Sequence, residues 1–336
     1  MKKNIFAVII LSFMFVFTGC SGADKLAAID STDNTEIVYE LESGSSVTSI
    51  SKELEDLGYI RSSKEFRKYA TENDMVDIKA GTYIIMKSMP ATDILKKFVD
   101  GDDYKGIKLL VPEGFEAVQI AQKIEESGLG SKEKFMEIVR NPGMFSEKYD
   151  FLNDEKIQSL EGYLFPLTYH FKEGIGEEEI ADQMLHQFDI VYEKSIKPNM
   201  GNTNLSLNDV VVLASVVERE AAIEEEMPLV ASVFLNRIDI DMSLQSCATV
   251  QYILGERKPI LSSEDISIDS PYNTYKYKGL PVTAIASPGE KAIMSVLEPA
   301  DTKYIYFLSK NDGSGEQVYS ETYEEHLKNK EKYLGN

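Results

Sequence analysis

Apolar positions recur at helical spacing along much of this chain, and short stretches between them alternate as strands do. Val210, Leu213, Ala214, Val217 and Ala221 fall on one face of a helical period, with Ser206 and Asp209 forming a variant capping box in front. The spacing predicts an amphipathic helix over 207–223. With Val217 as origin and about 100° per residue, Glu220 falls at about −60°, inside the apolar arc, and Glu218 at about +100°, at its margin. A carboxyl aimed at a core has its charged form disfavoured and its pKa raised, which suits a general acid near neutral pH. By periodicity alone the helix fits a paired glutamate at a helix end equally well, so it does not identify an enzyme.

Upstream, the pattern repeats. Ile37, Tyr39 and Leu41 alternate as a strand, and Val47, Ile50, Leu54 and Leu57 then mark a helix that stops near Gly58. Residues 106–111 form a second such strand, followed by Ala117, Ile120, Ile124 and a stop at Gly128. Gly114, Ile120, Ile124 and Gly128 each follow Gly44, Ile50, Leu54 and Gly58 by 70 residues, and the same offset sets Phe66 against Met136 and Tyr69 against Val139. The pattern reads as an internal duplication of a strand-helix-helix unit. Residues 80–85 read as a further strand, 91–99 as a helix and 177–196 as a helix with Ile180, Met184, Phe188 and Val191 on one face. Glu161-Gly162-Tyr163-Leu164-Phe165-Pro166 is an aromatic stretch suited to filling the junction between halves. The whole reads as an α+β chain, and small mixed units like those of the first copy resemble the LysM-like module of cell-wall proteins. By pattern alone such a unit is more often scaffold than a glycan binder.

After a helix opened by Pro228 and ending at Asn236-Arg237, the carboxy-terminal half is a run of loops: 244–252, Tyr272-Asn273-Thr274-Tyr275, 279–281 and 284–289. They are rich in Asn, Gln, Thr and Tyr, which bond hydroxyls and amides and stack on rings without carrying charge. That chemistry suits a neutral sugar chain.

At the amino terminus a basic start, an apolar run over Ile5–Phe17 and Thr18-Gly19-Cys20 have the shape of a secretory signal, the run being short for a membrane span. The small-residue site before Cys20 resembles a bacterial lipobox, so Cys20 is expected to carry lipid; an uncleaved signal anchor is the alternative. Either way the body is expected at the outer face of the cytoplasmic membrane. The expected segments are a signal over 1–20, a polar tether over 21–35, a LysM-like module over 36–105, a second repeat copy over 106–205 and a catalytic domain over 206–336. The formal charge of −21, which becomes −23 without Lys2 and Lys3, together with the absence of any Lys/Arg cluster, excludes an electrostatic nucleic-acid binder. The two cysteines, Cys20 and Cys247, build no disulfide framework, and the three histidines, His170, His186 and His326, have no metal-ligand spacing. No metal and no cofactor are expected. Cys247 has no base nearby in sequence and is expected to do no chemistry.

Taken in order, these motifs resemble the endolytic murein transglycosylases of the MltG (YceG-like) family. Ala214-Ser215 through Glu218-Arg219-Glu220 is similar to its Ala-Ser-x-x-Glu-Lys-Glu signature. Ala231 to Arg237, Gln245, Thr249-Val250, Tyr252, Tyr272 to Tyr275, Gly279-Leu280-Pro281, Pro288-Gly289, Pro299-Ala300, Tyr304 to Phe307, Thr322, His326 and Asn329 continue the match. The chain departs at Cys247 and Leu167, where the family has Asp, and at Val282, where a second Pro is common. The resemblance implies Glu220 as the catalytic residue, nascent peptidoglycan strands as substrate and a cell-wall synthesis complex as partner. Asn236, Gln245, Tyr272, Asn273 and Tyr275 are expected to hold the strand, and Arg237 and Thr274 to hold it or brace the cleft wall. The rivals are a non-catalytic peptidoglycan-binding lipoprotein and a water-using hydrolase with Glu218, Glu224 or Asp241 as a second carboxylate.

Overall fold

The computed structural model describes residues 22–101, 104 and 106–335; Cys20 and the apolar run before it lie outside them. The fold is α+β, with three small antiparallel sheets among helices in the described residues, and it divides into two compact units at Lys105/Gly106.

The first unit opens with a one-turn helix, α1 (Gly22–Leu26), followed by β1 (Ile37–Leu41), α2 (Val47–Asp56), α3 (Ser63–Glu72), β2 (Gly81–Ile85) and α4 (Ala91–Asp100). β1 and β2 pair antiparallel with Tyr39 opposite Tyr83. Alternate residues point inward, as the two-residue period of a strand requires, so Tyr39, Leu41, Tyr83 and Ile85 are buried. Ser46 and Ser62 cap α2 and α3 through their hydroxyls. Phe98 of α4 closes the core, its ring edge-on to Tyr83 at 4.8 Å. Burying a side chain of this size stabilises the unit by about 1.5–3 kcal/mol.

The second unit begins by repeating the first. β3 (Ile107–Leu110), α5 (Ala117–Glu126), α6 (Lys132–Val139), β4 (Thr168–Phe171) and α7 (Glu177–Val191) follow the same order, and β3 pairs antiparallel with β4. The offset of 70 holds for buried Tyr39 and Leu109 and for Gly58 and Gly128, and it shortens to 69 at the next cap, Ser62 against Ser131. Buried Phe66 therefore corresponds to buried Phe135, not to Met136, because the second copy has one residue fewer between the helices. Beyond α6 the offset becomes 86, for buried Tyr83 against Tyr169 and Ile94 against Ile180. The repeat thus spans five elements, and the second copy carries 17 extra residues (86 less 69) between α6 and β4. This extra segment contains Glu161 to Pro166. Gly162 sits there at φ +89°, where an added Cβ would lie 2.5 Å from Ala284 Cβ and 2.9 Å from Val211 Cγ1, so only glycine permits the close approach.

α7 runs through a π turn over 192–196 into a short α8 (Lys197–Asn199). α9 (Leu207–Glu220) follows, capped by Ser206. It is not amphipathic: every residue from Val210 to Val217 is buried, because α10 (Met227–Asp239), α11 (Cys247–Leu254) and α12 (Glu290–Leu297) all pack on it. A helix apolar all round is a core helix. It ends at Glu220 and not at Ile223, since Ala221 is extended at φ −87°, ψ 120°. The chain closes with the hairpin β5 (Tyr306–Ser309) and β6 (Gln317–Ser320) and with α13 (Tyr323–Leu334). One hydrophobic core runs through the second unit from Leu109 to Leu297, so 106–205 and 206–336 fold together.

Candidate active site

The last three residues of α9 fan out at about 100° intervals, and each meets the amino end of a different helix. Glu218 Oε2 accepts a hydrogen bond from the N–H of Gly289, which caps α12 (3.1 Å). Arg219 Nη1 donates to Oε1 of Glu116, the cap of α5 (2.9 Å). Glu220 Oε1 accepts from the Ser246 hydroxyl (2.5 Å) and from the N–H of Ala248 (3.2 Å), at the start of α11. Helix amino ends present unpaired N–H groups and partial positive charge, so two of the three receive a carboxylate directly. At its own end α9 has unpaired carbonyls, and the Glu220 carbonyl accepts from Gln317 Nε2 at 2.8 Å.

Both side-chain bonds of Glu220 fall on Oε1, and among the described residues none falls on Oε2. Ser246 is the residue that the sequence does not announce. A serine before a helix ordinarily caps it, yet Ser246 makes no side-chain cap and turns its hydroxyl to Glu220, which takes the capping role. Ser246 is held in turn: its N–H donates to Thr274 Oγ1 (3.0 Å), and the Thr274 hydroxyl meets that of Thr249 at 2.9 Å. Thr274 is buried and braces the loop.

The other expected strand-holding residues divide into two groups. Asn273 is fully buried, with Nδ2 donating to the carbonyls of Ile266 and Ile268 and Oδ1 accepting from the Tyr275 N–H. Asn236 donates to the carbonyls of Thr302 and Tyr304. Arg237 is buried, donates to the carbonyls of Ile305 and Leu244 and lies over the Tyr306 ring. These three tie loops together with groups already committed to the backbone. Burial lowers the Arg237 pKa, and Tyr306, Tyr275 and Glu220 act against it, which puts this cation in the field of the Glu220 carboxylate. Gln245, Tyr272 and Tyr275 by contrast reach solvent. Gln245 is exposed and held in the left-handed region at φ 49°. Tyr272 bonds Thr283, and Tyr275 meets Cys247 Sγ at 3.0 Å. Part of Cys247 reaches solvent, yet desolvation around its sulfur raises the thiol pKa, which disfavours a thiolate. Among the described residues no group of His, Cys, Asp and Glu is placed to hold a metal. His170, His186 and His326 stand on β4, α7 and α13.

Two buried carboxyls are strongly perturbed. Burial, and then the neighbouring Glu113, push Glu218 up to about 7 against the Gly289 N–H. Glu218, which the helical wheel placed at the margin, is thus desolvated, because the helix is enclosed on all sides. The second is Glu161, whose Oε1 accepts from the N–H of Ala117 and Oε2 from the Tyr252 hydroxyl. Burial first, with Glu116 adding to it, pushes Glu161 up to about 8 despite the Ala117 N–H, Tyr252 and Arg219. The folded state therefore holds protons that the unfolded chain has released. This contribution is full below the unfolded value of about 4.5 and is lost as pH rises towards 7–8, a loss on the order of a few kcal/mol. Glu161→Gln keeps the Ala117 bond through its oxygen, reverses the other so that Nε2 donates to the Tyr252 hydroxyl, and removes the proton dependence, so its melting temperature should gain on the parent's as pH rises from about 5 to about 8. A difference independent of pH would refute the assignment.

Residues 39–332 match the profile of the YceG-like family. The chain belongs to this family. An endolytic murein transglycosylase of Bacillus subtilis (strain 168) is 33% identical over 323 residues, covering 93% of this chain and 89% of that one. One of Streptococcus pneumoniae (strain D39) is 32% identical over 334 residues, covering 91% of this chain and 60% of that longer protein. The crystal structure of a yceG-like protein from Listeria monocytogenes superposes with a TM-score of 0.60 at 34% identity, over 88% of this chain and 99% of that one. Of this YceG-like chain's departures from the family pattern, Cys247 lies beside Glu220 in the site. Leu167 and Val282 are exposed, and the Leu167 carbonyl extends the β3–β4 pairing by accepting from Val111.

Proposed function

We propose that this YceG-like protein is a lytic transglycosylase that cuts peptidoglycan strands internally at the bond between MurNAc and GlcNAc. The observation that carries the reading is the Glu220 carboxyl: one oxygen is fixed by Ser246 and Ala248, and the other is left to carry a proton. Glu220 Oε2 gives that proton to the glycosidic oxygen as the bond to MurNAc C1 breaks and an oxocarbenium-like centre develops. The electron pair stays with the departing GlcNAc oxygen. The MurNAc C6 hydroxyl oxygen then bonds C1 and releases its proton to Oε2, which restores the acid and leaves a 1,6-anhydro end with no water consumed. Ser246 and Ala248 donate to Oε1 throughout and are worth most while the carboxylate is charged.

One carboxyl suffices for this cycle. Glu218 is turned to Gly289, Glu224 pairs with Lys291 and Asp241 with Lys278, both on the surface. Gln245, Tyr272 and Tyr275 are assigned to the strand, and Asn236, Arg237, Asn273 and Thr274 to bracing the loops that carry them. Among the described residues no helix is long and apolar enough to cross a membrane. We assign anchoring to lipid on Cys20, at the outer face of the cytoplasmic membrane, from the lipobox-like sequence, and a cell-wall synthesis complex as partner from the family resemblance.

Mass spectrometry of uncrosslinked strands digested by the purified protein tests the reaction. Internal fragments ending in anhydro-MurNAc, one water lighter than reducing ends, are expected. Reducing ends would mean a hydrolase, and intact strands a binding protein; either overturns the reading.

A further inference from the structure

Between Tyr304 ahead of β5, the end of β6 and α13 lies an open pocket of ≈ 300 Å³ that nothing in the cycle above uses. That volume is at the lower end of the range for small-ligand sites. Its apolar surface is a pair of tyrosine rings, Tyr304 and Tyr319, 5.6 Å apart and inclined at 32°. Its polar surface comes from Ser320, Glu321, Lys328 and Asn329. Lys328 is paired with Glu324, and Asn329 Nδ2 donates to Ser320 Oγ. Among the described residues the Tyr304 hydroxyl, the Glu321 carboxylate and Asn329 Oδ1 have no partner, so the residues lining the pocket offer one donor and several acceptors beside two aromatic faces. Flat apolar faces beside hydroxyl-binding groups suit a sugar ring, whose C–H face stacks while its edge hydrogen-bonds.

The pocket is wired to the reacting end of α9. Gln317 and Tyr319 are two apart on β6 and so share a face. The Tyr319 hydroxyl donates to Gln317 Oε1 at 3.0 Å, and Gln317 Nε2 donates to the Glu220 carbonyl at 2.8 Å. Tyr319 stands about 7 Å further along the strand. The other wall is fixed to α10, through the Tyr304 carbonyl and Asn236. Glu325, whose carboxylate accepts from the N–H groups of Glu321 and Thr322, adds a second negative charge at the rim. An acidic rim with its single lysine already paired disfavours a ring bearing further acidic groups.

We infer that the pocket between Tyr304, Tyr319, Glu321 and Asn329 is a distal subsite for an N-acetylglucosamine ring of the strand that Glu220 cuts, a reading that rests on the function proposed above. Occupied by a ring beyond the scissile bond, it makes cleavage depend on strand length.

The chain contains no tryptophan, so Tyr304→Trp places the sole indole in the pocket. In a Glu220→Gln background, which holds the strand uncut, titration with chitotetraose should shift the indole emission to saturation, and cellotetraose, which lacks acetamido groups, should act far more weakly. Glu321→Lys, on an exposed side chain, should raise KM on long strands about fivefold or more with kcat unchanged. It should leave unaltered the cleavage of fragments too short to reach the pocket. A silent indole together with equal kinetics of Glu321→Lys and parent on long strands would overturn the subsite, even if anhydro ends form normally. Conversely, an indole response in a protein whose parent makes no anhydro ends supports the pocket and refutes the proposed reaction.

Discussion

Glu220→Gln should lower strand cleavage by about 10²–10⁴-fold, the range that a positioned general acid contributes, while the fold survives. The amide still accepts from Ser246 and Ala248 through its oxygen, so α11 keeps its place, but it has no proton to deliver to the leaving oxygen. Glu218→Gln provides the contrast. Its amide oxygen still accepts from Gly289, and removing a carboxyl held near 7 beside Glu113 relieves a desolvation cost, so activity should fall only severalfold. The raised pKa makes Glu218 the obvious rival acid, and the pair of variants decides between them. Both are purified, their melting temperatures compared with the parent's, and anhydro-MurNAc ends counted at saturating substrate. A Glu220→Gln protein that still cuts while Glu218→Gln does not would transfer the role to Glu218; two active variants would remove α9 from the chemistry.

The largest effect on stability should come from the residue between them. The Arg219 side chain is 3% exposed and its partner Glu116 10% exposed, with the Glu161 carboxyl close enough to feel both. Removing one member of a buried ion pair leaves an uncompensated charge and costs about 3–5 kcal/mol, so Arg219→Met should lower the melting temperature by about 10 °C in a unit of this size. Much of that loss reflects the stranded carboxylate and not the worth of the pair. Arg219→Met combined with Glu116→Gln should therefore recover a large part of it. An unchanged melting temperature in the single variant, or a double variant no better than it, would contradict the buried-pair account.

Where local pattern decides structure, the sequence reads directly. β1, α2, β2, α4, β3 and α5 lie within a residue or two of their predicted limits, because Tyr39, Leu41, Ile50 and Leu54 and their counterparts alternate or recur on one face, whereas β4 was not foreseen and the helix read over 177–196 passes into a π turn after Val191. The single-residue slip at Ser62 and Ser131 escaped because a constant offset still pairs apolar residues by chance, as Phe66 with Met136 shows. The wheel on α9 misled for a physical reason. It presumes one buried side, whereas three helices and the loops around Ala284 enclose this one, so Glu218 at the margin of the wheel is desolvated as well. Ser246 was unreadable because its hydroxyl serves a residue 26 positions away and not its own helix. Asn273 carried the right chemistry for a sugar, yet its amide is committed to the backbone, a difference that residue type cannot reveal.

The carbonyl of Glu220 is held by Gln317, 97 positions later, and its carboxyl by Ser246 and Ala248, while its neighbours reach back to Glu116 and forward to Gly289. A helix end drawn from such separated stretches has high contact order and is expected to form late, since the intervening loops must close before any of these bonds can be made. Until β6 is in place, the Glu220 carbonyl lacks the Gln317 hydrogen bond that fixes its backbone. The end of α9 is thus held from both sides only once β6 has docked against it.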